Sequence, residues 1–147
     1  MQSESTVPAV TIKRVIRSSP HKIFSLWTRP ELMARWMTPY PGQVKCIAEA
    51  DVRVGGAFKL SMQSGESTCE IEGNYVAIEP PHLLVFTWCG GPTQNANTLV
   101  TLELRSANAG TELTLTHQRL PTPELRADHG IGWANMFEHL TAVAEEE

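Results

Sequence analysis

Among the 147 residues of this chain, five histidines, three cysteines and a scatter of carboxylates could move protons, hold a metal or act as nucleophiles. His117, Asp128 and His129 are the first to weigh, because an imidazole beside an apolar pocket can bind an acidic group or move a proton near neutral pH. With Asp128 or Glu138 as partner, His117 would supply the acid and base of a cyclase- or hydrolase-type enzyme. Its place at the end of an alternating strand turns the ring inward, where a backbone or helix partner satisfies it more simply. Asp128 and His129 are adjacent, so on a helix they diverge and form no dyad. His129 and His139 lie ten residues apart, about three helical turns, outside the i, i+4 spacing of helical metal pairs. No metal site and no cofactor are expected.

Nucleophilic chemistry finds no support either. There is no G-x-S-x-G, and Cys46, Cys69 and Cys89 form no C-x-x-C pair. Cys46 and Cys69 sit in strand-like runs and read as buried thiols; Cys89, before Gly90-Gly91, reads as more exposed. Gly130-Ile131-Gly132 opens a helical stripe without a strand leading into it, which points to close helix-to-sheet approach rather than a dinucleotide loop. No catalytic residue is assigned.

The elements that position these residues follow from patterning. Residues 10–16 are β-branched enough for a first strand, and Ser19 can cap a helix begun by Pro20, with Ile23, Phe24 and Trp27 on one face. Pro30 opens a second short helix carrying Leu32, Met33, Trp36 and Met37 at helical spacing. Residues 44–54 read as a strand that turns at Gly55-Gly56. Residues 58–62, 69–78, 83–88, 98–104 and 111–117 continue as strands broken by glycine, proline and asparagine turns. In the last two, Val100, Leu102 and Leu104, and Leu113, Leu115 and His117, form matching inward faces. Thr122 and Pro123 then start a long helix whose apolar stripe is Trp133, Met136, Phe137, Leu140 and Val143.

The order β, two short α, six β, one long α is an α+β pattern built on a curved, antiparallel, seven-stranded sheet. A flexible N-terminal segment over residues 1–9 and a single domain over 10–147 are expected, and Glu145-Glu146-Glu147 reads as a solvated tail. A formal charge of −4 gives no sequence-wide attraction to phosphate backbones or anionic membranes. The apolar runs are too short for membrane insertion. Nucleic acid is therefore not an expected partner, and a cytoplasmic location is the default.

The chain also resembles a known family over nearly all of residues 10–144. The carrying motifs are Ser19-Pro20 through Trp27, Pro30-Glu31-Leu32 with Arg35-Trp36, and Asp51-Val52-Arg53-Val54-Gly55-Gly56-Ala57-Phe58. They continue with Gly73-Asn74-Tyr75, the run from Pro80 to Trp88, the run from Gly110 to His117, and Gly130-Ile131-Gly132-Trp133. In this order they are similar to the activator of Hsp90 ATPase homologue-like (AHSA1-like) family, within the START-like, Bet v1-like or SRPBCC helix-grip superfamily of polyketide-cyclase and lipid-transfer proteins. The resemblance implies the helix-grip fold, with a ligand cavity between sheet and C-terminal helix. For the namesakes it implies contact with an Hsp90-type chaperone, which is not expected of a stand-alone domain of this length.

A seven-stranded sheet must curl, and one long helix cannot cover its whole concave face, so a space between them is expected. The cavity candidates are Trp36, Phe58, Leu60, Tyr75, Phe86, Trp88, Val100, Leu102, Leu115, His117, Trp133 and Phe137. His117 and Tyr75 would add polar contacts, and Trp36 and Tyr40 an exposed lip. The leading expectation is non-enzymatic binding of a small hydrophobic molecule, lipid-, polyketide- or aromatic-like. The rivals are the enzyme using His117 and a chaperone-associated or oligomeric interaction module, for which a homodimer is the simplest form.

Overall fold

A computed structural model describes residues 8–42 and 45–146. The chain runs β1 (Ala9–Ile16), α1 (Pro20–Thr28), α2 (Pro30–Met33), β2 (Cys46–Ala50), β3 (Ala57–Ser64), β4 (Ser67–Glu79), β5 (Leu83–Gly90), β6 (Thr98–Ala107), β7 (Gly110–Gln118) and α3 (Pro123–Ala144). The strands form one antiparallel sheet in the order β1-β7-β6-β5-β4-β3-β2. This is the curved seven-stranded helix-grip fold read from the sequence. Of the N-terminal segment 1–9, residues 1–7 lie outside the described residues, and Ala9 already belongs to β1.

Local chemistry sets the helix starts. Lys22 N–H donates to Ser19 Oγ at 3.1 Å, and Leu125 N–H to Thr122 Oγ1 at 3.1 Å, each cap followed by a proline in the first turn. The alternation of β6 and β7 buries Val100, Leu102, Leu104, Leu113, Leu115 and His117 on one face, with Val100 opposite His117 and Leu102 opposite Leu115.

The strand expected over residues 44–54 is shorter, ending at Ala50, and Val44 lies outside the described residues. After Ala50 the backbone turns on itself. Arg53 N–H donates to the Asp51 carbonyl and Gly56 N–H to that of Arg53, while Gly55 sits at φ +87°. A side chain at Gly56 would run into the Asp51 carbonyl, so the turn occupies residues 51–56 rather than the two glycines alone.

Glu145 and Glu146 are not merely a solvated tail. Glu146 pairs with both carboxylate oxygens on Arg35 at 2.9 Å, Glu145 Oε2 accepts from Arg17 N–H at 3.0 Å, and Lys22 Nζ donates to the Glu146 carbonyl at 2.9 Å. These contacts fasten the end of α3 to the first turns of the chain. Glu147 lies outside the described residues.

The helices divide the concave face between them. The second half of α3 seals one region with Phe137, Leu140, Val143 and Ala144. The segment 20–37 seals another: Trp27 packs edge-on against Trp36 at 4.6 Å and against Phe137 at 6.2 Å, and Trp36 Nε1–H donates to the Leu26 carbonyl.

Candidate functional site

A helix seals a sheet only where it carries side chains large enough to reach across. The α3 residues turned toward the sheet recur at helical spacing as His129, Gly132 with Trp133, Met136, then Phe137 and Leu140. At Gly132 the series offers no side chain. Beside it lies a cleft of about 650 Å³, partly open to solvent.

Each wall of the cleft comes from a different element. Asp128, His129, Gly132, Trp133 and Met136 of α3 form one side. Opposite stand Met62 of β3, Thr68, Cys69, Glu70 and Ile71 at the start of β4, and Trp88 near the end of β5. Gly91 and Pro92, in a short turn held by Thr93 Oγ1, close one end, and Pro39 and Tyr40 close another. The last two are pinned by the helix: Asn135 Nδ2–H donates to the Pro39 carbonyl at 2.9 Å and His139 Nε2–H to the Tyr40 carbonyl at 2.8 Å.

Gly132 is close to that pinned loop, since a Cβ there would lie 3.2 Å from Pro39 Cβ, whereas one at Gly130 would meet only Val10 Cγ1 at 4.0 Å. A glycine inside a helix costs about 1 kcal/mol relative to alanine. Gly130→Ala is therefore expected to raise unfolding stability by about 0.5–1 kcal/mol, and Gly132→Ala to recover distinctly less because it presses on Pro39. Urea unfolding of the two variants checks this; equal gains would contradict the close approach at Gly132.

The expected cavity residues separate into groups. Trp88 and Trp133 line the cleft, and so does Tyr40 from the expected lip. Trp36 is fully buried in the core and forms no lip. Phe58, Leu60, Tyr75 and Phe86 face Trp27, Met33 and Met37, which fill the space to within about 10 Å³, room for about one water. Val100, Leu102, Leu115 and Phe137 are packed core.

His117 lies one layer behind the wall, with no exposed surface. Trp133 Nε1–H donates to His117 Nδ1 at 3.0 Å, so Nδ1 carries the lone pair and Nε2 the proton. That Nε2–H donates to Thr98 Oγ1 at 2.7 Å, and Thr98 in turn donates to the Trp88 carbonyl. The relay has one direction, and every member is satisfied. Burial, reinforced by His129, pulls the His117 pKa down to about 3, so the ring is neutral at pH 7. An imidazole with both nitrogens engaged and no access to the cleft is a support for Trp133 and Trp88, not an acid or base for a bound molecule. Glu138, its suggested partner, is exposed.

His129 does reach the cleft. Its Nδ1–H donates to the Leu125 carbonyl at 2.8 Å, and its ring meets His117 edge to face at 5.0 Å. Burial lowers its pKa, against the opposing pull of the Leu125 carbonyl and Asp128. Cys69 is a poor nucleophile, its thiol pushed up to about 11 by burial, and Cys46 up to about 12. Burial, with Cys69 nearby, likewise raises the Tyr40 phenol.

Sequence patterning does not single out the cleft residues Pro39, Met62, Thr68, Cys69, Ile71 and Pro92. One signal does lie in the sequence: a glycine on the sheet-facing stripe of α3.

The family model described as activator of Hsp90 ATPase homolog 1-like protein matches residues 17–145. The chain belongs to this family. Solved structures share the AHSA1-like fold. A Chromobacterium violaceum protein is 20% identical with a TM-score of 0.81, 95% of this chain and 99% of that one being covered. An AHSA1-like protein from Aeromonas hydrophila is 21% identical with a TM-score of 0.79, covering 94% and 92%. A Mesorhizobium loti protein is 23% identical with a TM-score of 0.75, covering 92% and 96%. At these identities the likeness is one of fold. No curated protein matches it significantly. Among the described residues no helix is long and apolar enough to cross a membrane.

Proposed function

We propose that the protein binds a small, mainly apolar molecule in the cleft between the first half of α3 and strands β3–β5. One observation carries this reading: the helix stripe loses its side chain at Gly132, beside Trp133 and Met136 and across from Met62, Ile71 and Trp88, while the region around Phe58, Tyr75 and Phe86 is filled. The lining is mainly apolar, and a concave space of that kind is the usual place for a small ligand to bind. The satisfied His117 relay supports binding rather than proton transfer, because it holds both indoles in place and presents no reactive atom.

Apolar burial supplies the affinity. A guest losing about 200 Å² of apolar surface gains roughly 5 kcal/mol before association costs, enough for modest binding. Native mass spectrometry of protein purified from its own host is expected to show a retained small molecule that is lost on mild denaturation. Protein with no added mass, and no saturable uptake from a library of apolar compounds, would contradict the proposal.

A further inference from the structure

The polar residues on the cleft wall indicate what kind of guest it takes. They are Tyr40, Thr68, Cys69, Glu70, Asp128 and His129, with no lysine or arginine lining the cleft among the described residues. Glu70 and Asp128 are exposed at the rim, and both are acceptors when ionised. His129 is the polar group fixed most firmly. It is 9% exposed, and because Nδ1–H is committed to the Leu125 carbonyl, neutral imidazole leaves a lone pair on Nε2, which has no partner among the described residues. An accessible acceptor on the wall of a mainly apolar cleft pairs with a donor and repels an anion.

We infer that the cleft selects an aromatic or alicyclic molecule bearing a neutral hydrogen-bond donor, a hydroxyl or an N–H, which is received by His129 Nε2, and that it discriminates against carboxylates. This rests on the binding reading above and narrows it to a ligand class. Fatty acids and other carboxylates of the same apolar body bring a charge that meets Asp128, Glu70 and a lone pair, with no cation on the wall to offset its desolvation.

Three probes sharing one body test the inference: naphthalene, 2-naphthol and 2-naphthoate, titrated against the full chain by tryptophan fluorescence. The expected result is that 2-naphthol binds about 5-fold tighter than naphthalene, as one added hydrogen bond supplies, and naphthoate at least ~10-fold weaker than 2-naphthol. In His129→Phe the ratio of naphthol to naphthalene affinity is expected to fall to about one. Naphthoate binding as tightly as naphthol, or an advantage that survives in His129→Phe, overturns the donor assignment while leaving apolar binding intact. Failure of all three probes to bind overturns both readings.

A second measurement does not depend on the variant's folding. In ¹⁵N-labelled protein, 2-naphthol is expected to move the His129 Nε2 resonance away from that of a free lone pair, while naphthalene leaves it in place. A resonance that ignores both probes while naphthol binds contradicts the assignment.

Discussion

Replacing His117 by alanine is expected to destabilise the protein by roughly 3–5 kcal/mol, the combined effect of a hole in a packed core and a buried donor left without its acceptor. Trp133 Nε1–H would lose the His117 acceptor and Thr98 its imidazole donor. The same ring also makes stability depend on pH. Above pH 6.5 it is neutral in both the folded and unfolded chain, so its contribution is fully present. With the folded pKa near 3, acid below 6.5 protonates the unfolded chain but not the native one. Stability is then lost at up to about 1.4 kcal/mol per pH unit until the folded pKa is reached. His129, also lowered by burial, acts in the same direction.

His117→Gln separates the two effects, because an amide can accept and donate but does not titrate. At pH 7 this variant is expected to be less stable than the parent, and by pH 4.5 the gap should narrow by about 2–3 kcal/mol. Urea unfolding at the two pH values reads this directly. A gap that does not change with pH would show that His117 is not held neutral by burial.

Filling the cleft from α3 is the second large effect. Gly132→Leu places a branched side chain on the cleft wall beside Pro39, so a guest must share the space or force the loop at Pro39 aside. Overpacking of that kind costs about 1–3 kcal/mol, so naphthalene is expected to bind at least ~10-fold more weakly. Stability should stay within about 1 kcal/mol of the parent, because leucine is a better helix former than glycine. Tryptophan fluorescence titration with a parallel unfolding curve checks both halves. Unchanged affinity would place the guest elsewhere.

The fold was legible because its signals are local. Proline-led caps, alternating strands and glycine turns fix element order without knowledge of tertiary contacts, and the inward face of His117 follows from strand parity alone. The site was less legible, for two physical reasons. Sequence patterning sets only the long helix against the sheet, yet Trp27 of α1, Met33 of α2 and Met37 just after it fill the region around Phe58, Tyr75 and Phe86. Apolar periodicity identifies what is buried but not which side chain opposes it, so core and cleft residues look alike in one dimension. The cleft depends instead on a missing side chain at Gly132 and on loop residues at Pro39 and Pro92, whose positions are fixed only by contacts distant in sequence. The acidic tail reads as solvated for the same reason, since Arg35 and Lys22 lie more than a hundred residues away.

The most direct test is a crystal structure of the protein grown with naphthalene. Density for the ring in the cleft beside Gly132, Pro39 and Pro92, with the His117 relay unbroken, is the predicted result. An empty cleft at saturating ligand, or a ring bound only on the outer face of the sheet, would contradict the account.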